Sequence, residues 1–180
     1  MTALGHSPSV PVGRSGSKWR SFATLWIDLP GCMFRGQYEH TVDAKGRLAL
    51  PSAFRRLLAD RGDAQLIVTK HLSSPCLVAY PPGEWRSFEE RIAALPQFDH
   101  HVMLLRRLYV GGAMDCLIDK QGRVLIPPVL REMAGLGREV FWVGSLRTIE
   151  VWDAARWLDY RECDAAEAEA AVAKLGELGL

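Results

Sequence analysis

Val42-Asp43-Ala44-Lys45-Gly46-Arg47-Leu48-Ala49-Leu50-Pro51-Ser52-Ala53-Phe54-Arg55 decides the fold, because much of it returns as Ile118-Asp119-Lys120-Gln121-Gly122-Arg123-Val124-Leu125-Ile126-Pro127-Pro128-Val129-Leu130-Arg131. Asp, Gly, Arg, Pro and the later Arg each stand 76 residues from their counterparts, which makes the stretch an internal repeat. In each copy Val42 or Ile118 ends an apolar run, Asp and Gly punctuate, and Leu48/Leu50 or Val124/Ile126 then alternate at the strand period. The pattern is a strand, a tight turn and a strand.

Asp43 and Asp119 anchor the turns by accepting hydrogen bonds from the turn backbone. Gly46 and Gly122 supply the positive φ that a type I turn with a following bulge requires. Pro51 and Pro127 close the second strand and pre-set φ for a helix start. Phe54/Leu57/Leu58 and Leu130/Met133/Ala134 then fall at helical spacing. Each unit therefore reads strand, turn, strand, short helix, and the fold class is α+β.

Outward from the signature the repeat continues. Gln65 to Thr69 and Cys76 to Tyr80 read as strands, as do Val140 to Val143 and Thr148 to Trp152. Leu77, Tyr80 and Trp85 answer to Ile149, Trp152 and Trp157, the offset having fallen to 72 after a shorter loop. Units this small cannot each bury a core, so they are expected to interlock as a pseudo-twofold β-barrel. Helices lie between and after the repeats: Gly83 to Leu95, Phe98 to Val110 ending at Gly111-Gly112, and an Ala- and Glu-rich terminal helix over Ala154 to Leu180. The expected organisation is a disordered extension over 1–32, a first repeat over 37–84, inter-repeat helices over 85–112, a second repeat over 114–157 and a C-terminal helix over 158–180.

The D-x-x-G-R-x-x-x-P string with its short amphipathic helix resembles the AbrB-type swapped-hairpin DNA-binding motif, and two copies in one chain resemble the MraZ family of bacterial transcription regulators. Met33-Phe34-Arg35-Gly36, Pro75-Cys76-Leu77, Tyr80-Pro81 and Gly144 to Trp157 carry the likeness, which covers about Met33 to Trp157. It implies a sequence-specific regulator of the division and cell-wall gene cluster. Such a protein binds short direct repeats in double-stranded promoter DNA, forms a ring-like homo-oligomer and associates with the nucleoid. It also implies that the D-x-x-x-R motifs are the DNA-reading elements and that Met33 is the functional start.

The residues alone leave two readings of Arg47 and Arg123 open. An ion pair with Asp43 or Asp119 would brace the turn and contribute only about 0 to 1 kcal/mol when exposed. A bidentate contact to guanine is worth roughly 1 to 3 kcal/mol. The two coexist if Asp holds the Arg fork ready. Lys45 and Lys120 stand beside them for phosphate, and the second copy departs by carrying Lys120-Gln121 where the first has Ala44-Lys45. Arg55 and Arg131 read as solvated helix residues and stay outside the site.

The 180 residues are 48% hydrophobic and 24% charged, with a net charge of +1. That balance permits a polyanion partner without demanding one. Residues 153–180 hold seven acids against three bases, which leaves +5 on residues 1–152. The segment 1–32, rich in Ser, Gly and Pro, reads as an added upstream start or a disordered tail. The expected setting is cytoplasmic, with no membrane partner. Cys32, Cys76, Cys116 and Cys163 lack C-x-x-C spacing, and His100-His101 has no third ligand at suitable spacing, so no metal and no cofactor is expected. No catalytic motif or small-molecule site is evident. The alternatives are an AbrB-type antitoxin, which usually has one copy and a toxin-binding tail, and an assembly scaffold that does not bind DNA.

Overall fold

The computed structural model describes residues 33–162, 165–177 and 179. The expectations for 1–32, including a start at Met33, lie outside the described residues apart from Met33 itself.

The first repeat places β1 at Gln37–Thr41 and β2 at Arg47–Ala49, followed by helix α1 at Ser52–Arg61, β3 at Gln65–Lys70 and β4 at Cys76–Tyr80. Pro51, at φ −52 and ψ 139, turns the chain out of β2 into α1, whose Phe54 and Leu58 face inward one turn apart. The second repeat is built alike: β5 at Met114–Leu117, β6 at Arg123–Leu125, helix α4 at Pro128–Ala134, β7 at Glu139–Ser145 and β8 at Thr148–Asp153. Here Leu130 and Ala134 are buried, whereas Met133, expected on the inner face, turns outward.

Between the repeats, α2 spans Pro82–Ala93 with Trp85 and Ile92 buried. Helix α3, His100–Leu105, begins at Asp99, whose carboxylate accepts from the backbone N–H groups of His101 and Val102. The single helix expected over Phe98 to Val110 is divided, because Arg106–Val110 forms a π-helical turn closed by the Gly111 N–H on the Arg106 carbonyl. The buried Thr69 hydroxyl donates to the Tyr109 carbonyl at 2.9 Å and holds that backbone group. The terminal helix is divided as well. Helix α5, Ala154–Arg161, stops at Glu162 (φ −83, ψ 41), and α6 occupies Ala165–Glu177.

The strands form an antiparallel six-stranded sheet, β1-β7-β8-β4-β3-β5, and a separate ribbon in which β2 pairs with β6. Exchanging the repeats leaves both orders unchanged. Each repeat's first strand pairs with the third strand of the other repeat, and the two second strands pair with one another.

Alternation along the sheet sends residues to two sides. Leu66, Val68, Leu77, Ala79, Val140, Trp142, Ile149 and Val151 join Leu48, Val124, Phe54, Leu58, Leu130 and Ala134 in the main core. Each such Val, Leu, Ile or Phe side chain contributes about 1.5 to 3 kcal/mol of burial. On the opposite face Trp85 and Tyr109 cover Ile67, and Trp157 of α5 covers Cys76 and Trp152. The ribbon is thus clamped to the sheet by α1 and α4, with its other side turned away from the core.

Candidate nucleic-acid interface

The first turn is closed by backbone bonds from Gly46 N–H to the Asp43 carbonyl and from Asp43 N–H to the Arg47 carbonyl, each 2.9 Å. Asp43 Oδ1 accepts from the N–H groups of Lys45 (2.8 Å) and Arg47 (2.9 Å), while Oδ2 accepts from Arg47 Nε at 2.7 Å. The second turn repeats these bonds, and there Arg123 Nη2 also donates to Gln121 Oε1 at 3.2 Å. Gly122 N–H donates to the Asp119 carbonyl, Asp119 Oδ1 accepts from Gln121 and Arg123 N–H, and Oδ2 accepts from Arg123 Nε at 2.9 Å and lies 2.7 Å from Nη2. Gly46 and Gly122 have φ of 80 and 74, the left-handed backbone that a side chain disfavours.

The hydrogen-bonded carboxylates are strongly held in their charged form. The Arg47 backbone N–H, followed by its guanidinium, brings Asp43 down to about 2. The Arg123 guanidinium, followed by its backbone N–H, lowers Asp119 in the same way.

Ribbon register decides where the arginines point. Leu48 opposes Val124, and both are fully buried. Arg47 opposes Leu125 and Ala49 opposes Arg123, so these four lie on the outer face. Arg47 and Arg123 occupy diagonal positions there, a relation that spans roughly 7 to 8 Å in an antiparallel pair. Both arginine side chains retain 30% exposure while paired with Asp. Lys45 and Lys120 are exposed at the tips, and among the described residues neither is paired with an acid. The structure therefore brings Lys45, Arg47, Lys120 and Arg123 onto one ribbon, which the separation of 76 residues in sequence did not require.

Arg55 and Arg131, read as solvated helix residues, lie against the turns, where Arg55 stays exposed and Arg131 is half-buried. Arg55 Nη1 donates to the Gln121 carbonyl at 3.3 Å and its Cδ packs on Gly122. Arg131 packs on Gly46, with its Nε donating to the Ile126 carbonyl at 3.2 Å. The signal was present: both belong to the set of residues repeating at one offset.

Other chemistry is sparse. Among the described residues no group of three or more His, Cys, Asp or Glu side chains could hold a metal ion. His100 and His101 are exposed on α3 with their rings 5.6 Å apart. Burial pushes the Cys76 thiol up to about 12 and the Cys116 thiol up to about 11, which removes both as nucleophiles. A cleft of about 370 Å³, bordered by Gln65, Trp85, Arg86, Glu89 and Asp115, lies on the sheet face opposite the ribbon. Among the described residues no helix is long and apolar enough to cross a membrane.

Two consecutive segments, 33–108 and 109–175, match the family model described as "MraZ protein, putative antitoxin-like". The chain is 41% identical over 148 residues to the "Transcriptional regulator MraZ" of Acetivibrio thermocellus, covering 82% of this chain and all of the relative. The protein of the same name from Clostridium acetobutylicum is 38% identical over 148 residues, again 82% of this chain and all of that one. The one from Pseudomonas aeruginosa strain LESB58 is 43% identical over 134 residues, 74% of this chain and 89% of the relative.

Proposed function

The chain belongs to the MraZ family, a family of transcriptional regulators and not of enzymes, and on that premise we propose that it regulates transcription by inserting the β2/β6 ribbon into the major groove of promoter DNA. The observation that carries this is the ribbon face itself. Two Asp-anchored arginine forks share one outward surface, and a major groove is wide enough for a two-stranded ribbon. Arg47 and Arg123 are assigned to base edges and Lys45 and Lys120 to phosphates, with Asp43, Gly46, Asp119 and Gly122 as the rigid frame. The carboxylates do not compete with this role. They fix the guanidinium orientation before DNA arrives and so reduce the ordering cost of binding.

The finer reading follows the family resemblance: sequence-specific binding to short direct repeats ahead of the division and cell-wall gene cluster, by a ring-like homo-oligomer associated with the nucleoid of the cytoplasm. Two AbrB-like units, 37–84 and 114–157, would form one pseudo-twofold barrel. The strand order that survives exchange of the repeats supports the pseudo-twofold relation. An antitoxin or a scaffold without DNA is the competing reading.

Footprinting on the chain's own upstream region tests the proposal. Protection of spaced, similar short boxes is expected. The binding constant should fall with salt at a log–log slope near −0.9 per phosphate neutralised. Uniform weak protection would reduce the activity to nonspecific binding, and no salt-dependent binding at all would favour the scaffold.

A further inference from the structure

We propose, resting on the assignment of the ribbon to DNA, that Arg55 and Arg131 are crossed positioning residues: each holds the turn of the other repeat, so that Arg131 sets the Arg47 fork and Arg55 sets the Arg123 fork. The geometry is reciprocal. A Cβ built on Gly46 would lie 3.0 Å from Arg131 Nη2 and 3.2 Å from its guanidinium carbon, so the guanidinium occupies the space that the glycine leaves. A Cβ on Gly122 would lie 2.5 Å from both Cδ and Nη1 of Arg55.

Backbone bonds follow the same crossing. Ile126 N–H donates to the Gly46 carbonyl at 3.1 Å, and Leu50 N–H donates to the Gly122 carbonyl at 2.9 Å. Arg131 Nε, bonded to the Ile126 carbonyl, thus braces the residue that itself grips Gly46. Each turn is seated on the strand end and helix start of the opposite repeat.

Among the described residues neither Arg55 nor Arg131 makes an ion pair, so no carboxylate draws them to the turns. Backbone carbonyls and the bare glycine face hold them. This use suits a planar guanidinium and not an ammonium. It also explains why glycine serves twice at each turn, once for its φ and once for the flat surface it offers. A displaced turn would swing the Asp–Arg fork. A bidentate base contact tolerates little displacement, so the brace acts on DNA reading without touching DNA. Arg131 is half-buried and Arg55 exposed, so the Arg131 brace should be the stronger.

Hydrogen exchange on the full chain without DNA, joined to a binding cycle, tests the crossing. Arg131→Ala should speed exchange of the Gly46 and Arg47 amides roughly tenfold, as expected for loss of a charged hydrogen bond, and leave Gly122 and Arg123 unchanged. Arg55→Ala should do the reverse. Arg131→Lys should not restore protection. Equal loosening of both turns, no loosening, or full rescue by lysine would each overturn the brace. On DNA, the loss caused by Arg131→Ala should vanish in an Arg47→Ala background and persist in an Arg123→Ala background. Losses that add in both, with a salt slope shallower by about one unit, would instead make Arg131 a phosphate ligand and overturn the proposal. If the wild type binds no DNA, the ribbon's assignment fails, while the exchange arm still decides the crossing.

Discussion

The indole Nε1–H of Trp142 donates to the carbonyl oxygen of Ala49 at 2.9 Å, joining β7 of the sheet to the β2/β6 ribbon across 93 residues of sequence. Trp142 is fully buried and Ala49 half-buried, so the bond ties β2 to β7 at the margin of the core. Trp142→Phe keeps most of the volume but removes the donor. We expect a loss of about 1 to 3 kcal/mol in urea unfolding with an unchanged m-value. An unaltered midpoint would show that the ribbon is seated by apolar packing alone.

The acid limb of the stability profile should report the two turns. Asp43 falls to about 2 from an ordinary 3.8, and Asp119 is also lowered. A carboxylate depressed in the folded state stabilises above its unfolded value, and that contribution disappears as pH drops through the folded value. The melting temperature should therefore decline between about pH 4 and about pH 2 through these groups. Asp43→Asn with Asp119→Asn should be less stable at pH 6 and flatter across that window. An identical acid limb in the double variant would mean that other carboxylates govern it.

What the sequence made legible was local. The 76-residue repeat, the Asp-Gly-Arg turns and the faces of Leu48 and Val124 follow from punctuation and period, and the structure shows the turn bonds in both copies. Strand partners were not legible from pattern. Inside each unit only isolated bridges, Val42 to Leu48 and Ile118 to Val124, join the two strands of the signature, because their ladders run to the other repeat. Periodicity fixes which face a strand buries, but it does not say against which neighbour. The π-helical turn escaped for a similar reason, since Thr69 and Tyr109 meet from distant segments. Arg55 and Arg131 were visible as repeated residues, yet an arginine in a short helix is more often solvated, and nothing local shows that it leans on a turn of the other repeat.

Gly62 and Gly122 offer a comparison of strain with and without a neighbour. Both have positive φ, 75 and 74, but a Cβ on Gly62 meets nothing within 4 Å whereas one on Gly122 meets Arg55. Alanine at Gly62 should cost only the backbone strain, about 1 kcal/mol. Gly122→Ala should cost more, and Arg55→Ala should recover the excess when combined with it, by the logic of a double-mutant cycle. Equal costs at the two glycines in thermal unfolding would show that Arg55 moves aside freely.

Arg47 and Lys45 lie two residues apart and should behave differently on DNA. Arg47 is held by Asp43 on the ribbon's outer face, while Lys45 is exposed and unpaired among the described residues at the tip. Arg47→Ala should cost about 1 to 3 kcal/mol on a single operator box and relax preference at one base pair. Lys45→Ala should weaken specific and nonspecific DNA alike and make the salt slope shallower by about one unit. Neither change should unfold the protein, because the turn stays closed by its backbone bonds and by the Asp43 carboxylate on the Lys45 and Arg47 N–H groups. If several copies of the chain bind several boxes together, the Arg47→Ala loss should grow with the number of boxes through effective concentration. The comparison therefore needs one box and several, at two salt concentrations, with the folded state checked by circular dichroism. Wild-type affinity and wild-type base preference in a folded Arg47→Ala protein would make the Asp43–Arg47 pair a brace for the turn and remove Arg47 from the interface.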